Sequence, residues 1–465
     1  MIKHRATYVW LISGIAALGG LLFGYDFVVI GGAKPFFERY FELKDAATSG
    51  WVNSCALIGC LFGALAAGAL SDKFGRKRLL MLSALLFVVT SLGNAHASSL
   101  TVFVVWRMLG GSAIGLASAL SPIYIAEVAP AAMRGKLVLL NQLTIIVGIV
   151  LAQLVNWFVA RHLPAHAGDE FIRTSWYGQS AWRWMFGLTA VPACLFFLAM
   201  FFVPESPRWL AKNGNPDGAR AVFAAVAGAE FAETEMRSVQ STLAAEEIRH
   251  VRFRDLLEPE LRTPLVLGVV LAVFQQWCGI NVIFNYAEEI FHGAGYDISN
   301  VLENIAWTGS VALVFTIVAL GLIDRVGRRP LMLLGAASLA ITNGAIGYCY
   351  YRGIHGTVIL LAVLLSMACF AMTLGPVTWN VISEIFPNRI RGAATAVAVT
   401  SLWAACFTLT YTFPILNRAL GAAGTFWIYG AICVAGFLFI LRALPETRGK
   451  SLETIEREMA ERRKT

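Results

Sequence analysis

Apolar segments long enough to cross a lipid bilayer recur along almost the whole chain. A membrane-spanning helix needs about 20 mostly apolar residues, and soluble domains contain about 25% charged residues. Here hydrophobic residues make up 57% of the 465 residues and charged residues only 14%. The sequence therefore predicts an all-α membrane protein with twelve transmembrane helices. We expect the spans near 8–32, 49–71, 78–96, 100–123, 136–160, 183–203, 263–292, 300–323, 329–350, 356–383, 391–416 and 422–444.

Basic residues indicate how the chain is oriented in the membrane. The formal net charge is +8, and with both termini cytoplasmic about 28 of the 37 Lys and Arg residues lie inside. Clusters at 73–78 and 325–329 fall in short loops, where the positive-inside rule is strongest. Topology thus explains the positive charge, and nucleic-acid binding is not implied. The sequence has no Asn-x-Ser/Thr glycosylation site, so we expect the cytoplasmic (inner) membrane of a bacterium.

The longest hydrophilic stretch divides the twelve predicted spans into two groups of six. It is rich in Ala, Glu and Arg, and its apolar positions follow a helical spacing. We expect short soluble helices on the cytoplasmic face, with a flexible linker as the alternative. The predicted organisation is an N-terminal six-helix bundle (1–205), a cytoplasmic helical linker domain (206–255), a C-terminal six-helix bundle (256–446) and a cytoplasmic tail (447–465).

The two halves repeat one another in the charged residues of their loops. Ordered matches at a nearly constant offset are typical of two parallel structural repeats with a solute site between them. The repeated residues are Asp72, Arg76, Glu127, Arg134 and Glu205 in the first half and Asp324, Arg328, Glu384, Arg391 and Glu446 in the second. We expect a charge network that latches the halves together on the inner side. Isolated exposed pairs contribute only about 0–1 kcal/mol each, so the latch requires shielding, and solvated loop charges are the alternative.

Asp26 and Arg107 are the charged residues that lie well inside spans of the first half. A charge at this depth is costly and usually meets a partner or a water-filled path. Counted along their helices at about 1.5 Å per residue, both lie roughly 10 Å below the outer face. They can therefore pair, and uptake of a proton by Asp26 can change that pairing. A purely structural ion pair is the alternative.

Amide and indole side chains within predicted spans are candidates for binding a polar solute. They are Gln142, Gln275, Gln276, Asn281 and Trp379. Amides both donate and accept hydrogen bonds, which suits sugar hydroxyls, and an indole can stack on the apolar face of a sugar ring. Amides in spans can equally hold neighbouring helices together, so composition alone leaves both roles open.

Two predicted helix breaks fall beside these candidates. An ideal helix does not direct residues 275, 276 and 281 toward one point, so we expect local unwinding at Gly279. Gly375-Pro376 precedes Trp379 and interrupts the helical hydrogen bonds, so we expect a hinge there.

Ten short motifs follow one another in order between about Leu11 and Leu452. They are GGLLFGYD (19–26), DKFGRK (72–77), R-x3-G (107–111), YIAEVAPAAMRG (124–135), PESPRWL (204–210), QQWCGIN (275–281), DRVGRR (324–329), GPVTW (375–379), SEIFPNRIRG (383–392) and PETRG (445–449). Together they resemble the sugar porter family of the major facilitator superfamily. That family holds bacterial proton-linked xylose and galactose transporters and the human glucose facilitators.

The resemblance implies a major facilitator fold of two six-helix bundles and secondary active transport of a monosaccharide by alternating access with proton symport. It implies that Asp26 takes up the coupled proton, that Arg107 sets its proton affinity, and that the five amide and indole residues contact the sugar. The glucose facilitators carry Asn in place of Asp26, and some relatives with Asp are uniporters. A proton-independent sugar uniporter is therefore the main alternative. A membrane sugar sensor is a third, which the short C-terminal tail disfavours.

Three further residues are expected to line or gate the solute path: Phe23, Asn285 and Trp403. Asn285 stands where a Tyr is common in the family. Leu402 and Cys406 stand where many relatives carry amides. The resemblance therefore predicts the position of the site and leaves the sugar open.

Nothing in the sequence predicts catalysis or a bound cofactor. The eight cysteines form no CxxC motif and no Cys–His metal spacing, and no nucleotide-binding loop or nucleophile–base pair is visible. We therefore expect no enzyme activity, no metal and no cofactor, with the proton gradient as the energy source. The expected partners are a sugar, protons and the lipid bilayer, and we expect the chain to function as a monomer.

Overall fold

The computed structural model describes residues 2–164, 167–248, 258–386 and 391–448, and all regular structure in them is helical. The helices of the first part are α1 (Ile2–Tyr40), α2 (Ala46–Phe74), α3 (Arg76–Ala95), α4 (Leu100–Val128), α5 (Ala131–Ala160), α6 (Asp169–Thr174), α7 (Trp182–Gly187), α8 (Ala190–Ala199), α9 (Pro207–Lys212), α10 (Pro216–Ala227) and α11 (Ala229–Ile248). The others are α12 (Pro259–Trp277), α13 (Ile280–Asn285), α14 (Ala287–Gly293), α15 (Ile298–Val326), α16 (Arg328–Tyr351), α17 (Thr357–Met372), α18 (Leu374–Ile385) and α19 (Arg391–Ala443).

The prediction of twelve spans is confirmed, although only eleven continuous helical stretches are long and apolar enough to cross a membrane. The last of them, α19, has 53 residues, and a straight helix of that length would be about 80 Å long, far more than the hydrocarbon core of about 30 Å. It is broken at Gly421, where φ is 70° and ψ is 171°. A Cβ there would meet no atom within 4 Å, so the backbone conformation, and not lack of space, favours glycine.

The sixth span is the least regular. It runs over Tyr177–Phe202, with a π-helical turn at Tyr177–Ala181, then α7 and α8, and a 3₁₀ turn at Met200–Phe202. The span therefore begins six residues before residue 183, the start predicted from the sequence. Trp182 explains the difference, because its ring is fully buried and its indole N–H donates to the carbonyl of Gly178 at 3.0 Å. That bond stabilises the additional turn.

Three further helices, α9 to α11, follow the sixth span. Ala219, Phe223, Ala232 and Met236 form their small apolar core. Asn215 begins α10 by accepting a hydrogen bond from the N–H of Gly218 at 2.9 Å. Residues 249–257 of the predicted linker and 449–465 of the predicted tail lie outside the described part of the chain.

The chain divides into two compact units. The first comprises Met1–Phe27, Gly59–Ile149 and Phe186–His250, and the second comprises Val28–Ile58, Val150–Met185 and Val251–Thr465. Helices α1, α2, α5 and α7 therefore contribute residues to both units. The boundaries proposed from the sequence, at 205 and 256, stay predictions.

Candidate functional site

Asp26 on α1 and Arg107 on α4 form an ion pair inside the first unit. Arg107 Nη1 lies 3.2 Å from Asp26 Oδ1, and the side chains are 2% and 6% exposed. The other carboxylate oxygen, Asp26 Oδ2, is buried and makes no hydrogen bond with any residue that the structure describes. The pair therefore leaves one acceptor of Asp26 available to a proton.

Helix α1, which carries Asp26, packs closely against α5. Gly24 on α1 faces the main chain of α5, and Gly148 on α5 faces the main chain of α1, so a side chain at either position would collide with backbone atoms. Small residues at such contacts are typical of membrane helices. Arg107 also contacts the ring of Phe186, whose centroid lies 5.1 Å from the guanidinium carbon.

The seventh span breaks at Gly279, where φ is 93°, so that α12 ends just before it and α13 begins just after it. The helix thus unwinds where the sequence predicts. Gln276 Nε2 donates to Gln275 Oε1, and Asn281 Nδ2 donates to Gln276 Oε1 at 2.5 Å. All three amides are buried, and they form a continuous row across the break, which we call the amide row.

Asn343 of α16 stabilises this break, and sequence reasoning missed it. Its Nδ2 donates to the carbonyl of Cys278 at 3.0 Å, which satisfies a backbone group that the helix leaves unpaired. A Cβ on Gly279 would lie 3.0 Å from the ring of Tyr429, so the site has little room for a larger residue. The sequence feature that could have identified Asn343 is its position as an amide in the middle of an apolar span.

Asn285 and Cys406 both contact Asn281. Asn285 Nδ2 donates to the carbonyl of Asn281 at 2.9 Å, and Cys406 Sγ lies 3.7 Å from Asn281 Nδ2. Trp403, one turn before Cys406 on α19, is buried. The side chain of Asn285 is engaged with the backbone here, and its gating role stays a prediction.

Trp379 lies on α18 and is 36% exposed, unlike the buried residues of the amide row. The break before it is at Thr373, with φ −126° and ψ −93°, and the prediction of a hinge at Gly375-Pro376 was wrong by two residues. Pro376 falls in the first turn of α18, where its missing N–H costs no helical hydrogen bond.

The other two solute candidates belong to the first unit. Gln142 lies on α5 and is partly exposed. Phe23 lies on α1, also partly exposed, and its ring meets that of Phe27 edge to face at 6.0 Å. Contact of these residues with a sugar stays a prediction.

The charges of the first repeated cluster join α2, α3 and α4 to the two residues that precede α9. Arg76 pairs with Glu127 at 3.0 Å and with Asp72 at 3.4 Å. Glu205 Oε1 instead accepts from the backbone N–H of Arg76 at 2.9 Å, at the start of α3. Ser206 Oγ donates to Glu127 Oε2 at 2.5 Å. We call these five residues the first brace.

The second half repeats this arrangement. Arg328 pairs with Glu384 at 2.9 Å, and Glu446 accepts from the backbone N–H of Arg328 at 3.0 Å, at the start of α16. Thr447 Oγ1 donates to Glu384 Oε2 at 2.6 Å, as Ser206 does to its own glutamate. These four residues form the second brace.

Sequence reasoning missed the hydroxyls of Ser206 and Thr447, although both directly follow a repeated Glu. Arg134 is exposed, and its Nη2 lies 3.5 Å from the carbonyl of Ala129. The side chains of Asp324 and Arg391 lie outside the described part of the structure. Each brace belongs to a single unit, and its role as a latch between halves stays a prediction.

A further charged cluster, formed by Lys34, Glu38, Glu288 and Glu289, was not predicted. Lys34 lies beyond the predicted end of the first span, and the two adjacent glutamates fall inside the predicted seventh span, 263–292. In the structure that apolar span ends earlier, at Asn285. The consecutive acidic residues Glu288 and Glu289 indicate that the membrane span ends before residue 288.

The chain is similar to known sugar transporters over nearly its whole length. The profile of the family described as "Sugar (and other) transporter" matches residues 12–459. The D-xylose-proton symporter of Escherichia coli (strain K12) is 37% identical over 495 residues, which cover 98% of this chain and 96% of the relative. The arabinose-proton symporter of Bacillus subtilis (strain 168) is 38% identical over 456 residues, covering 98% and 96%.

Two further comparisons agree with these. A glucose transporter of Staphylococcus epidermidis is 36% identical over 460 residues, covering 97% of this chain and 98% of the relative. Among solved structures, the xylose transporter of Escherichia coli in a partially occluded inward-open conformation matches with a TM-score of 0.84 and 35% identity, covering 96% of this chain and 100% of that chain.

Proposed function

Because this chain belongs to the sugar transporter family and has the major facilitator fold, we propose that it moves a monosaccharide across the membrane by alternating access, together with a proton. Relatives named for D-xylose, arabinose and glucose support a pentose or an aldohexose as the substrate. The proton gradient is then the source of energy. The family is one of transporters, and catalysis is no part of the proposal.

The buried Asp26–Arg107 pair is the observation that carries proton coupling. Burial favours the neutral acid, whereas the neighbouring guanidinium favours the carboxylate. These effects oppose each other, so a small change in the 3.2 Å separation alters whether Asp26 holds a proton. The oxygen without a hydrogen-bond partner, Asp26 Oδ2, is the atom that the proton would occupy.

The amide row and Trp379 support sugar binding. Gln275, Gln276 and Asn281 present donors and acceptors at a broken helix, and Trp379 offers a partly exposed ring. Gln142 is proposed to bind the sugar as well, on the strength of the family motifs. Phe23, Asn285 and Trp403 are proposed to line or gate the path.

We also propose the membrane topology and the monomeric state that the sequence predicts. Both termini lie in the cytoplasm, the bundles 1–205 and 256–446 are joined by the linker 206–255, and the chain acts as a monomer in the cytoplasmic membrane of a bacterium. The charge asymmetry of the loops supports the orientation. The bacterial source of the relatives supports the location.

A proton-independent uniporter is the second candidate. The observation that favours it is the Asp26–Arg107 ion pair at 3.2 Å, because such a pair can hold α1 and α4 together without exchanging a proton. Both candidates use the same sugar site and differ only in whether Asp26 exchanges a proton during the cycle.

Transport by purified protein in proteoliposomes tests the proposal. Counterflow of radiolabelled xylose, arabinose, glucose and galactose identifies the sugar, and sugar-induced alkalinisation of the medium reports proton movement. We expect both signals in the wild type. Asp26→Asn should lose alkalinisation and accumulation while keeping counterflow, because exchange needs no net proton movement. Asp169→Asn is the matched control, since that carboxylate is 84% exposed.

Two results would contradict coupling. A wild type that exchanges sugar but moves no proton would establish the uniporter. Accumulation by Asp26→Asn would assign the proton to another group.

A further inference from the structure

The buried ammonium group of Lys34 connects α1 with α14 in the second unit. In the proposed topology these helix ends face the outside of the cell. Lys34 lies near the end of α1, and its side chain is 3% exposed. Its Nζ lies 2.8 Å from Glu38 Oε2, contacts Glu289 Oε1 directly and lies 3.9 Å from Glu288 Oε2. Three carboxylates from α1 and α14 therefore share one ammonium group, and we call these four residues the outer cluster.

The three carboxylates differ in how well their oxygens are satisfied. Glu38 Oε1 accepts from Ser49 Oγ at 2.5 Å, so both oxygens of Glu38 have donors. Glu288 Oε1 lies 3.9 Å from Arg39 Nη1. Glu289 Oε2 is buried and has no hydrogen-bond partner among the described residues. A buried carboxylate oxygen without a donor is costly when ionised, whereas a carboxylic acid carries its own proton at that atom.

Other charges around the cluster do not supply the missing donor. The outer cluster borders an open cavity of about 670 Å³, within which acidic groups outnumber basic groups by two. The acidic groups besides Glu289 are Glu38, Glu42, Asp45, Asp169, Glu170 and Glu288. The basic groups are Lys34, Arg39, Lys44, Arg173 and Arg418.

Two of the four basic residues besides Lys34 are already paired with other carboxylates. Arg39 Nε lies 2.8 Å from Asp169, and Arg173 lies 2.7 Å from Glu42 and 2.9 Å from Glu170. Burial raises the pKa of Glu289 to about 8, against the opposing effect of Lys34 and with support from the negative charges of Glu288 and Glu38. The unpartnered oxygen of Glu289 and the negative charges around it both favour a protonated Glu289.

We propose that the outer cluster is a pH-sensitive latch, in which a proton on Glu289 Oε2 allows three carboxyl groups and Lys34 to hold α14 against α1. Loss of that proton places a further negative charge beside Glu288 and Glu38, and the repulsion loosens α14. The latch is distinct from the Asp26–Arg107 pair, which belongs to the other unit. If transport occurs by alternating access, as proposed above, external pH then biases how readily the outer side opens.

Infrared difference spectroscopy of the full-length protein in lipid nanodiscs tests the proton directly. The probe is pH alone, with no sugar and no gradient, so the result does not depend on the proposed function. In the wild type we expect the carbonyl band of a protonated carboxylic acid to disappear with a midpoint near 8. The same transition should be missing in Glu289→Gln and retained in Asp26→Asn. Absence of the transition in the wild type, or its persistence in Glu289→Gln, would overturn the proposal.

Glu288→Gln serves as a second variant that keeps the titrating carboxyl. Removing one neighbouring negative charge should lower the midpoint while the band remains. An unchanged midpoint would count against the proposal. If Glu289→Gln does not fold, this shift decides the question.

Hydrogen exchange tests the mechanical part of the latch. Amides of α14 should exchange several-fold faster in the wild type than in Glu289→Gln when both are measured at one pH above the midpoint. Below the midpoint the two proteins should match. Comparison at equal pH removes the intrinsic effect of pH on exchange. Equal rates above the midpoint would show that the proton does not hold the helices together.

Discussion

Asp26 and Lys34 lie two turns apart on α1, and each meets an opposite charge from another helix. The sequence predicts the partner of Asp26, because Arg107 is a lone basic residue within a span at matching depth. It does not predict Glu289 as a partner of Lys34, because Glu289 approaches only through the packing of α14 against α1. Hydropathy identifies a charge in an apolar segment, but its partner depends on tertiary contacts.

Gln276 is the central residue of the amide row, and we expect its loss to weaken sugar binding most. Its side chain donates to Gln275 and accepts from Asn281, so Gln276→Ala removes both bonds and leaves neighbouring amides unpaired. The cost should be about 1–3 kcal/mol, which is about fivefold to about 150-fold in affinity. Equilibrium binding of the sugar found by counterflow measures it. Gln179→Ala, at an exposed amide, should change nothing. Unchanged affinity in both Gln276→Ala and Trp379→Ala would move the site elsewhere.

Helix breaks were predictable to different degrees. Gly279 could be identified because three polar residues around it cannot share one face of a regular helix. Thr373 could not, since Gly375-Pro376 carries the stronger sequence signal and yet fits the first turn of α18. The end of the seventh span was also misplaced, because a few apolar residues around Glu288 and Glu289 keep the local hydropathy high. Span number depends on length and composition, whereas exact ends depend on what each side chain contacts.

We expect Gly279→Ala to destabilise the protein and to disturb the amide row. A residue with a Cβ pays about 1–2 kcal/mol in the left-handed conformation, and the ring of Tyr429 adds crowding at 3.0 Å. Thermal unfolding and sugar affinity should both fall. Gly344→Ala on α16 is the matched control, because nothing lies within 4 Å of its added methyl group and the helix should gain up to about 1 kcal/mol. If both substitutions changed thermal stability and sugar affinity equally, the helix break at Gly279 would not require a glycine.

The contact between α1 and α14 should make thermal stability depend on pH. The pKa of Glu289 is raised from 4.5 to about 8, so the folded protein keeps a proton that the unfolded chain releases within this window. Stability should therefore fall as pH rises from about 4.5 to about 8 and then level off. Glu289→Gln should remove that part of the fall, whereas Asp217→Asn, at a carboxylate that is 91% exposed and lies in the first unit, should keep it. Parallel pH profiles for wild type and Glu289→Gln, from tryptophan fluorescence on heating, would contradict this.

At the scale of the molecule, the two braces show what the repeat preserves. In each, an Arg and a hydroxyl engage the same glutamate, and a second glutamate accepts the first backbone N–H groups of a span. The sequence predicts the charges and their repetition. The sequence does not predict that Glu205 and Glu446 accept hydrogen bonds at the starts of α3 and α16. That role depends on how close the chain comes to these helices after the sixth and twelfth spans.

Neutralising Glu127 or Glu384 should shift the conformational equilibrium toward the inward-facing state. Each glutamate is the shared acceptor of its brace, so Glu127→Gln or Glu384→Gln should loosen the inner side, slow net transport and leave sugar binding intact. Distances between labels across the cytoplasmic side report the populations. Asp217→Asn, at a carboxylate that is 91% exposed, is the control. An unaltered distribution in both variants would mean that these charges only orient the chain.

Each brace draws all its members from one repeat, residues 72–206 in the first and 328–447 in the second. The hydrogen bonds and ion pairs that define each brace stay within its own repeat, so a single ancestral six-helix chain would already have carried the same brace. Gene duplication could then double the fold without inventing new partners. The same self-sufficiency identifies the hydrophilic stretch between α9 and α12 as the place where the chain should tolerate being cut, with two co-expressed fragments reassembling into a working carrier.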